Sequence, residues 1–368
     1  MTTVTRSAAT VSALAALTAG SLLLTSCSNS SDGSGSSANS AFDLSGTTGE
    51  LRGEGASSQQ KAMELFGVAY QSAVPGATLA YNATGSGAGQ KQFIAGQVDF
   101  GGSDSALSGD QVADAAERCG GNDAWHLPMV VGPVAVAFRI DGVDALNLSV
   151  DTLAKIFKGE ITTWNDPTIA AENDGVDLPD LPISVLYRAE ESGTSDNFQK
   201  FLNVATDGYW DTEGKTFPTK VGAGAQGSSG VADQVKATDG AITYVESGYA
   251  TAAGLGVAAL DFGAGPVALS TESVNTALSA ATFTGTGNDL VVDSEALFAS
   301  QEPGAYPLAL TTYQIVCSAG YDEETADRVK DFLYTILDNQ NDDLESAGYV
   351  PLSGSFRDRL VTAVDALA

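Results

Sequence analysis

Arg188 closes the apolar run LPISVLYR. Four residues later Ser192-Gly193-Thr194 lead into SDNFQKFLNVA, whose apolar spacing is that of an amphipathic helix. A guanidinium presents a planar fork of donors that engages two oxygens of a tetrahedral anion together. Ser192 and Thr194 add hydroxyls, and the first-turn amides of a helix have no intrahelical acceptor. Two more turns carry the same donor chemistry. Gly53-Glu54-Gly55-Ala56-Ser57-Ser58-Gln59 lets backbone approach a ligand and then offers two serines, and Thr84-Gly85-Ser86-Gly87-Ala88-Gly89 repeats the pattern around Ser86. Each has a plainer reading. The serines would serve as N-caps, the glycines would form a turn lacking the Gly-Lys-Ser/Thr of a mononucleotide loop, and Arg188 would be a surface residue paired with Glu190 or Glu191.

Asp104, in DFGGSDSAL, stands apart from these donors. After two glycines it reads as a turn residue or helix cap. In an oxyanion site it would repel the guest unless that guest carried a proton, whose hydrogen bond the carboxylate would then accept. Phosphate keeps a proton at neutral pH and sulfate does not, so such an aspartate would select between them.

Positioning these turns requires strands that deliver the chain to helix starts. QQKAMELFGVAYQSA has Met63, Phe66, Gly67 and Tyr70 at helical spacing, ATLAYNATG follows as a strand, GQKQFIAGQ as a short helix and VDFGGSD as a strand. VVGPVAVAFRI is a continuous apolar run of the kind a buried parallel strand shows. SVDTLAKIFKG is a further helix, YPLALTTYQIVCS a strand, and ETADRVKDFLYTILD a helix with Val329, Phe332, Leu333 and Ile336 on one face. The alternation predicts an α/β fold, with helix N-termini at the carboxyl ends of strands, where such folds bind ligands.

The chain has 368 residues and a formal charge of −29, from 46 acidic residues against 17 Lys and Arg. That length buries one large or two ordinary domains. With no basic stripe, nucleic acid is excluded as a partner. The single histidine, His126, and the lack of a Cys-x-x-Cys spacing give no metal site, and no cofactor is expected. A hydrolase with Ser192 as nucleophile is the rival from another class, and it lacks a histidine near any serine motif.

Residues 1–26 read as an export signal: Arg6, then a small apolar run. The run ends in Leu24-Thr25-Ser26-Cys27, which resembles a bacterial lipobox, in which the cysteine is lipidated and anchors the chain to the membrane. Residues 27–43, rich in Ser and Gly, read as a flexible tether. In an oxidising compartment Cys119 and Cys317 are either a disulfide or two buried thiols.

Four short motifs in one order, GEGAS, YNATGS, VDFGGSD and RAEESGT, with LAKIFKGEITTWNDP and GAITYVESGYA, make the chain similar to the phosphate-binding subunit of the bacterial high-affinity phosphate ABC transporter. The resemblance covers most of the chain beyond the tether. It implies inorganic phosphate as ligand, permease subunits as partners, an extracytoplasmic location and a monomer. It also implies a periplasmic-binding-protein-like α/β fold of two domains, 44–137 plus 310–368 and 138–309, with a ligand cleft. VGPVAVAF and YPLALTTYQ would form the two-stranded hinge. The family's phosphate contacts fall on Ser57, Ser58, Ser86, Asp104, Arg188, Ser192, Gly193 and Thr194, Ser58 through its backbone amide. Glu190 takes the place of the family's usual arginine-orienting aspartate. Cys119 and Cys317 would share the first domain.

Overall fold

The computed structural model describes residues 40–218, 220–300 and 302–368. The export signal, Cys27 and the tether up to residue 39 lie outside the described residues. The first half of the fold contains β1 (Gly49–Gly55), α1 (Gln60–Ala73), β2 (Ala77–Asn82), α2 (Ser86–Ile94), β3 (Phe100–Ser103) and the long β4 (Ala124–Arg139). There follow β5 (Ser184–Arg188), α3 (Gly193–Ala205), β6 (Ala223–Ala225), α4 (Gly227–Ala237) and β7 (Ala241–Glu246). The chain ends through β8 (Ala309–Cys317), α5 (Glu323–Asp338) and a last helix, Gly354–Asp365.

The expected helices form because their apolar residues recur on one face. In α1, Ala62, Met63, Phe66 and Tyr70 are buried, and in α5 the face of Val329, Phe332, Leu333 and Ile336 is buried. Asp322 starts α5 by accepting the Thr325 amide at 3.1 Å. Residues 40–43, assigned to the tether by composition, instead lie against α5. Ser40 donates to Asp338 at 2.6 Å, and Phe42 stacks on Tyr334 with ring centroids 4.5 Å apart. One aromatic ring is enough to end a polar linker.

A nine-stranded sheet runs β2-β1-β3-β8-β4-β7-β5-β6, with Gly256–Val257 pairing β4 beside that path. The pairs of β1 with β2 and β3 are parallel, as are those of β5 with β6 and β7. The run VVGPVAVAFRI corrects the expectation of a parallel strand. It is buried, as its composition required, but β4 is antiparallel to β8, β7 and Gly256–Val257 alike. Cover on both faces makes a strand continuously apolar, and that cover is independent of pairing direction.

This strand organises the molecule. From Ala124 to Pro133 it pairs with β8, and from Val134 to Arg139 with β7. It thus joins a half-sheet of β1, β2, β3 and β8 to one of β5, β6 and β7. Cys119 and Cys317 form a disulfide with Cα atoms 5.4 Å apart, which ties the segment after the helix Asp110–Arg118 to the end of β8.

Candidate functional site

Three strand-to-helix turns bring the donor motifs together. At the end of β1, Gly55 has φ +144°, and a Cβ there would lie 2.8 Å from the Gly102 carbonyl carbon. Only glycine lets β1 close on β3 at this point, which sets Ser57 and Ser58 beside Asp104. The second turn starts α2 at Ser86, and the third starts α3, where the Ser192 hydroxyl accepts the Ser195 amide at 3.3 Å. Each of Ser57, Ser58, Ser86, Asp104, Arg188, Ser192 and Thr194 is at most 4% exposed.

The surface-arginine reading is overturned. Arg188 is 2% exposed and its fork is fully engaged. Nη2 donates to Ser57 Oγ at 2.6 Å, and Nη1 to Thr194 Oγ1 and Ser228 Oγ, both at 3.1 Å. Nε donates to Glu190 Oε1 at 2.6 Å, and Nη2 also reaches that oxygen. Glu190 is braced in turn by the Gly227 amide at 3.2 Å. Glu191, the other suggested partner, pairs instead with Lys91 at 2.7 Å on the surface. Burial works against the charged guanidinium, but the Glu190 and Glu246 carboxylates outweigh it and hold the Arg188 pKa above its ordinary value.

Asp104 faces that fork across the same cluster. Its Oδ1 accepts the hydroxyls of Ser58 at 2.6 Å and Thr312 at 2.7 Å, and Oδ2 accepts Ser86 at a longer 3.3 Å. The Asp104 amide donates to Ser86 Oγ at 3.1 Å, and its carbonyl accepts Asn197 Nδ2 at 2.7 Å. Burial, then the nearby Glu246 carboxylate, pushes the Asp104 pKa up to about 6 against the pull of Ser58, Thr312 and Arg188. Gly193 lies directly on this group. A Cβ there would stand 2.6 Å from Asp104 Cβ and 2.8 Å from Oδ2, so any side chain would displace the carboxylate.

Sequence reading missed four contributors. Ser228 sits at the start of α4 after the short β6, and its amide and hydroxyl both meet Ser57 Oγ at 3.1 Å. Its signal was the Gly-Ser run AQGSSG. Thr312 reaches Asp104 from a register shift in β8 between Thr312 and Tyr313. Asn197 lies one turn into α3. Glu246, inside the quoted GAITYVESGYA, ends β7 and accepts the Thr194 hydroxyl at 2.7 Å. A cavity of about 300 Å³ opens beside Asp104, lined by Asn197, Lys200, Thr311 and Tyr313 among others.

The assembled groups can hold a compact tetrahedral anion by hydrogen bonds and one cation, with a carboxylate acceptor in the same dry cluster. His126 does not extend this to nucleophilic chemistry. Its Nδ1 is 2.8 Å from Asp289 and its Nε2 accepts the Leu107 amide at 3.0 Å, so both ring nitrogens are engaged.

Residues 40–340 match the family model described as a PBP superfamily domain. The chain is 45% identical over 372 residues to phosphate-binding protein PstS2 of Mycobacterium bovis (strain BCG), covering 99% of both chains. To phosphate-binding protein PstS 3 of Mycobacterium leprae it is 46% identical over 321 residues, covering 86% of this chain and 87% of that one. Among solved structures, a phosphate-binding protein from Stenotrophomonas maltophilia superposes with a TM-score of 0.63 at 23% identity, covering 86% of this chain and 94% of that one. A high-affinity periplasmic phosphate-binding protein (PfluDING), solved with phosphate bound, gives 0.65 at 24% identity, with coverage of 85% and 93%. These two structural likenesses establish the fold.

Proposed function

The chain belongs to the PBP superfamily and to its phosphate-binding PstS branch, and on that premise we propose that it captures inorganic phosphate outside the cytoplasm and delivers it to the permease of an ABC transporter. The observation that carries this reading is the convergence on one buried cluster of Arg188, three helix-start turns and Asp104. On binding, Arg188 Nη1 and Nη2 and the hydroxyls of Ser57, Ser86, Ser192 and Thr194 exchange the hydrogen bonds they make within the cluster for bonds to the anion, joined by the amides of Ser58, Gly193 and Thr194. Asp104 accepts the proton that phosphate keeps and sulfate lacks. A site built around one such hydrogen bond rejects an analogue lacking it by about 10⁴ to 10⁵.

The division into domains 44–137 plus 310–368 and 138–309 is supported by β4, which changes partner strands between Pro133 and Val134. Ligand would then sit between the two halves. Contacts that bridge them, Ser105 Oγ to Asp196 at 2.6 Å and Asn197 to the Asp104 carbonyl, favour a closed cleft that excludes water. In this reading Cys27 is lipidated and anchors a monomer to the membrane by its tether, and the protein performs no catalysis. Among the described residues no helix is long and apolar enough to cross a membrane.

Calorimetric titration of the tether-truncated protein tests the reading. Phosphate should bind tightly while sulfate and molybdate do not, and Arg188→Ala should weaken phosphate binding by a factor of about 100 or more. Sulfate binding as tight as phosphate would transfer the site to another oxyanion. Turnover of a chromogenic phosphate ester would favour the serine hydrolase.

A further inference from the structure

His126 is the chain's one histidine, is 4% exposed, and takes no part in the proposed phosphate contacts. Its two ring nitrogens have partners of opposite kind. Nδ1 lies 2.8 Å from Asp289 Oδ1, which as a carboxylate only accepts, and Nε2 lies 3.0 Å from the Leu107 amide, which only donates. Both contacts demand the same state, a neutral ring with its hydrogen on Nδ1 and a bare lone pair on Nε2. Asp289 is itself fixed: the same Oδ1 accepts the His126 amide at 2.7 Å, and the Leu290 amide donates to the His126 carbonyl at 3.0 Å. It belongs to a hairpin, residues 282–293, closed by a bridge between Phe283 and Val292. That hairpin is numbered in the proposed second domain but packs on the first. The Val292 amide donates to the Tyr313 hydroxyl at 3.1 Å, and Phe283 meets Phe356 with ring centroids 5.3 Å apart. Tyr313 in turn stands edge-on to the imidazole at 5.6 Å.

Leu107 lies in the loop after β3 that carries Asp104 and Ser105. Residues 104–109 lie in no strand or helix, and side chains hold the loop instead. Gln90 Nε2, on α2, donates to the Ser105 carbonyl at 2.8 Å and to the Ala106 carbonyl at 3.3 Å. The Ser103 hydroxyl donates to the Ser105 carbonyl at 2.6 Å, and Asn197 to the Asp104 carbonyl at 2.7 Å. Beyond these grips the Leu107 amide is held by the imidazole. The loop bears on the site twice, through the Asp104 carboxylate and through the Ser105 hydroxyl, which donates across to Asp196 at 2.6 Å. Building on the phosphate reading above, we propose that His126 is a positioning residue of the phosphate site. Asp289 sets its tautomer, and its Nε2 anchors Leu107 so that Asp104 keeps its place opposite the Arg188 fork. His126 itself touches no ligand. A recognition group must stay within about 0.5 Å of its working position, and the hydrogen bonds behind it supply that constraint.

The test uses the tether-truncated protein without a histidine tag, so that ring-nitrogen NMR signals come from His126 only. At about pH 8 they should report a protonated Nδ1 and a bare Nε2, the reverse of the form that free neutral histidine favours. A ring protonated on Nε2 overturns the inference. Calorimetry with phosphate and sulfate then compares two variants under conditions where denaturant titration shows both folded. His126→Phe keeps a ring but removes the acceptor, and its phosphate-over-sulfate preference should fall about tenfold or more. His126→Gln returns an acceptor in place of Nε2 and should recover most of that loss. A merely structural role would lower stability and leave the ratio alone. An undiminished preference in His126→Phe, or a His126→Gln as defective as His126→Phe, overturns the inference. Should His126→Phe fail to fold, Asp289→Ala decides: it leaves the imidazole in place, its preference should fall severalfold, and an unchanged ratio overturns the inference. Absence of any phosphate binding in wild type sinks the phosphate reading itself, a result distinct from tight binding with the wrong tautomer.

Discussion

At the scale of single residues, Asp104 is where the proposed selectivity would conflict with stability. A carboxylate kept dry beside another carboxylate has its pKa raised from 3.8 to about 6, so the folded state holds its proton more tightly than the unfolded chain does. Its contribution to stability is fully present below about pH 4 and is lost as pH rises through about 6. A shift of this size corresponds to a loss on the order of 1–3 kcal/mol by neutral pH. Thermal melts of the ligand-free protein should therefore decline more between pH 4 and pH 7 in wild type than in Asp104→Asn. Parallel profiles would mean that Asp104 is not the group responsible. Under the proposed function, the burial that weakens the free protein would also make the carboxylate a strict test of its guest, since an acceptor left facing an unprotonated oxygen has no water to turn to.

At the scale of elements, the site is legible where one segment carries both the signal and the geometry. GEGAS, YNATGS and RAEESGT each combine a strand end, a small-residue turn and a helix start, and all three meet in the fold. Asp104 was legible for the same reason, and Glu190 because it lies two residues from the arginine it braces. Thr312 was not legible, because a mid-strand threonine becomes a site residue only through a register shift that depends on the partner strand. Ser228 and Glu246 were hidden likewise: they meet Ser57 and Thr194 from 171 and 52 residues away in the chain. The direction of β4 escaped because burial on both faces leaves the same composition in either pairing. The disulfide belongs to this scale too, since it fastens the segment after Asp110–Arg118 to β8, the strand that carries Thr312. Replacing Cys119 and Cys317 with serine should cost about 2–5 kcal/mol of stability by denaturant titration. Phosphate affinity should stay within about threefold, because the bridge lies at the far end of β8 from Thr312. A large loss of affinity at unchanged stability would show that the bridge sets the site rather than the fold.

At the scale of the whole molecule, the proposed function has a chain of charge −29 bind an anion through oriented dipoles and one arginine acting at contact distance. The diffuse acidic charge acts over longer range, where salt weakens it. Raising ionic strength from about 0.01 M to about 0.15 M shortens the screening length from about 30 Å to about 8 Å. Stopped-flow association with phosphate should then become severalfold faster, the reverse of a basic anion receptor. A rate that falls with salt would place local positive potential ahead of net charge. The most direct test remains the ratio of phosphate to sulfate affinity, measured by calorimetry at pH 7 in wild type and Asp104→Asn. Wild type should prefer phosphate by about 10⁴ or more, and the variant should lose at least about tenfold of that preference. An equally strict variant would contradict the assignment of selectivity to a buried carboxylate that checks its anion for a proton.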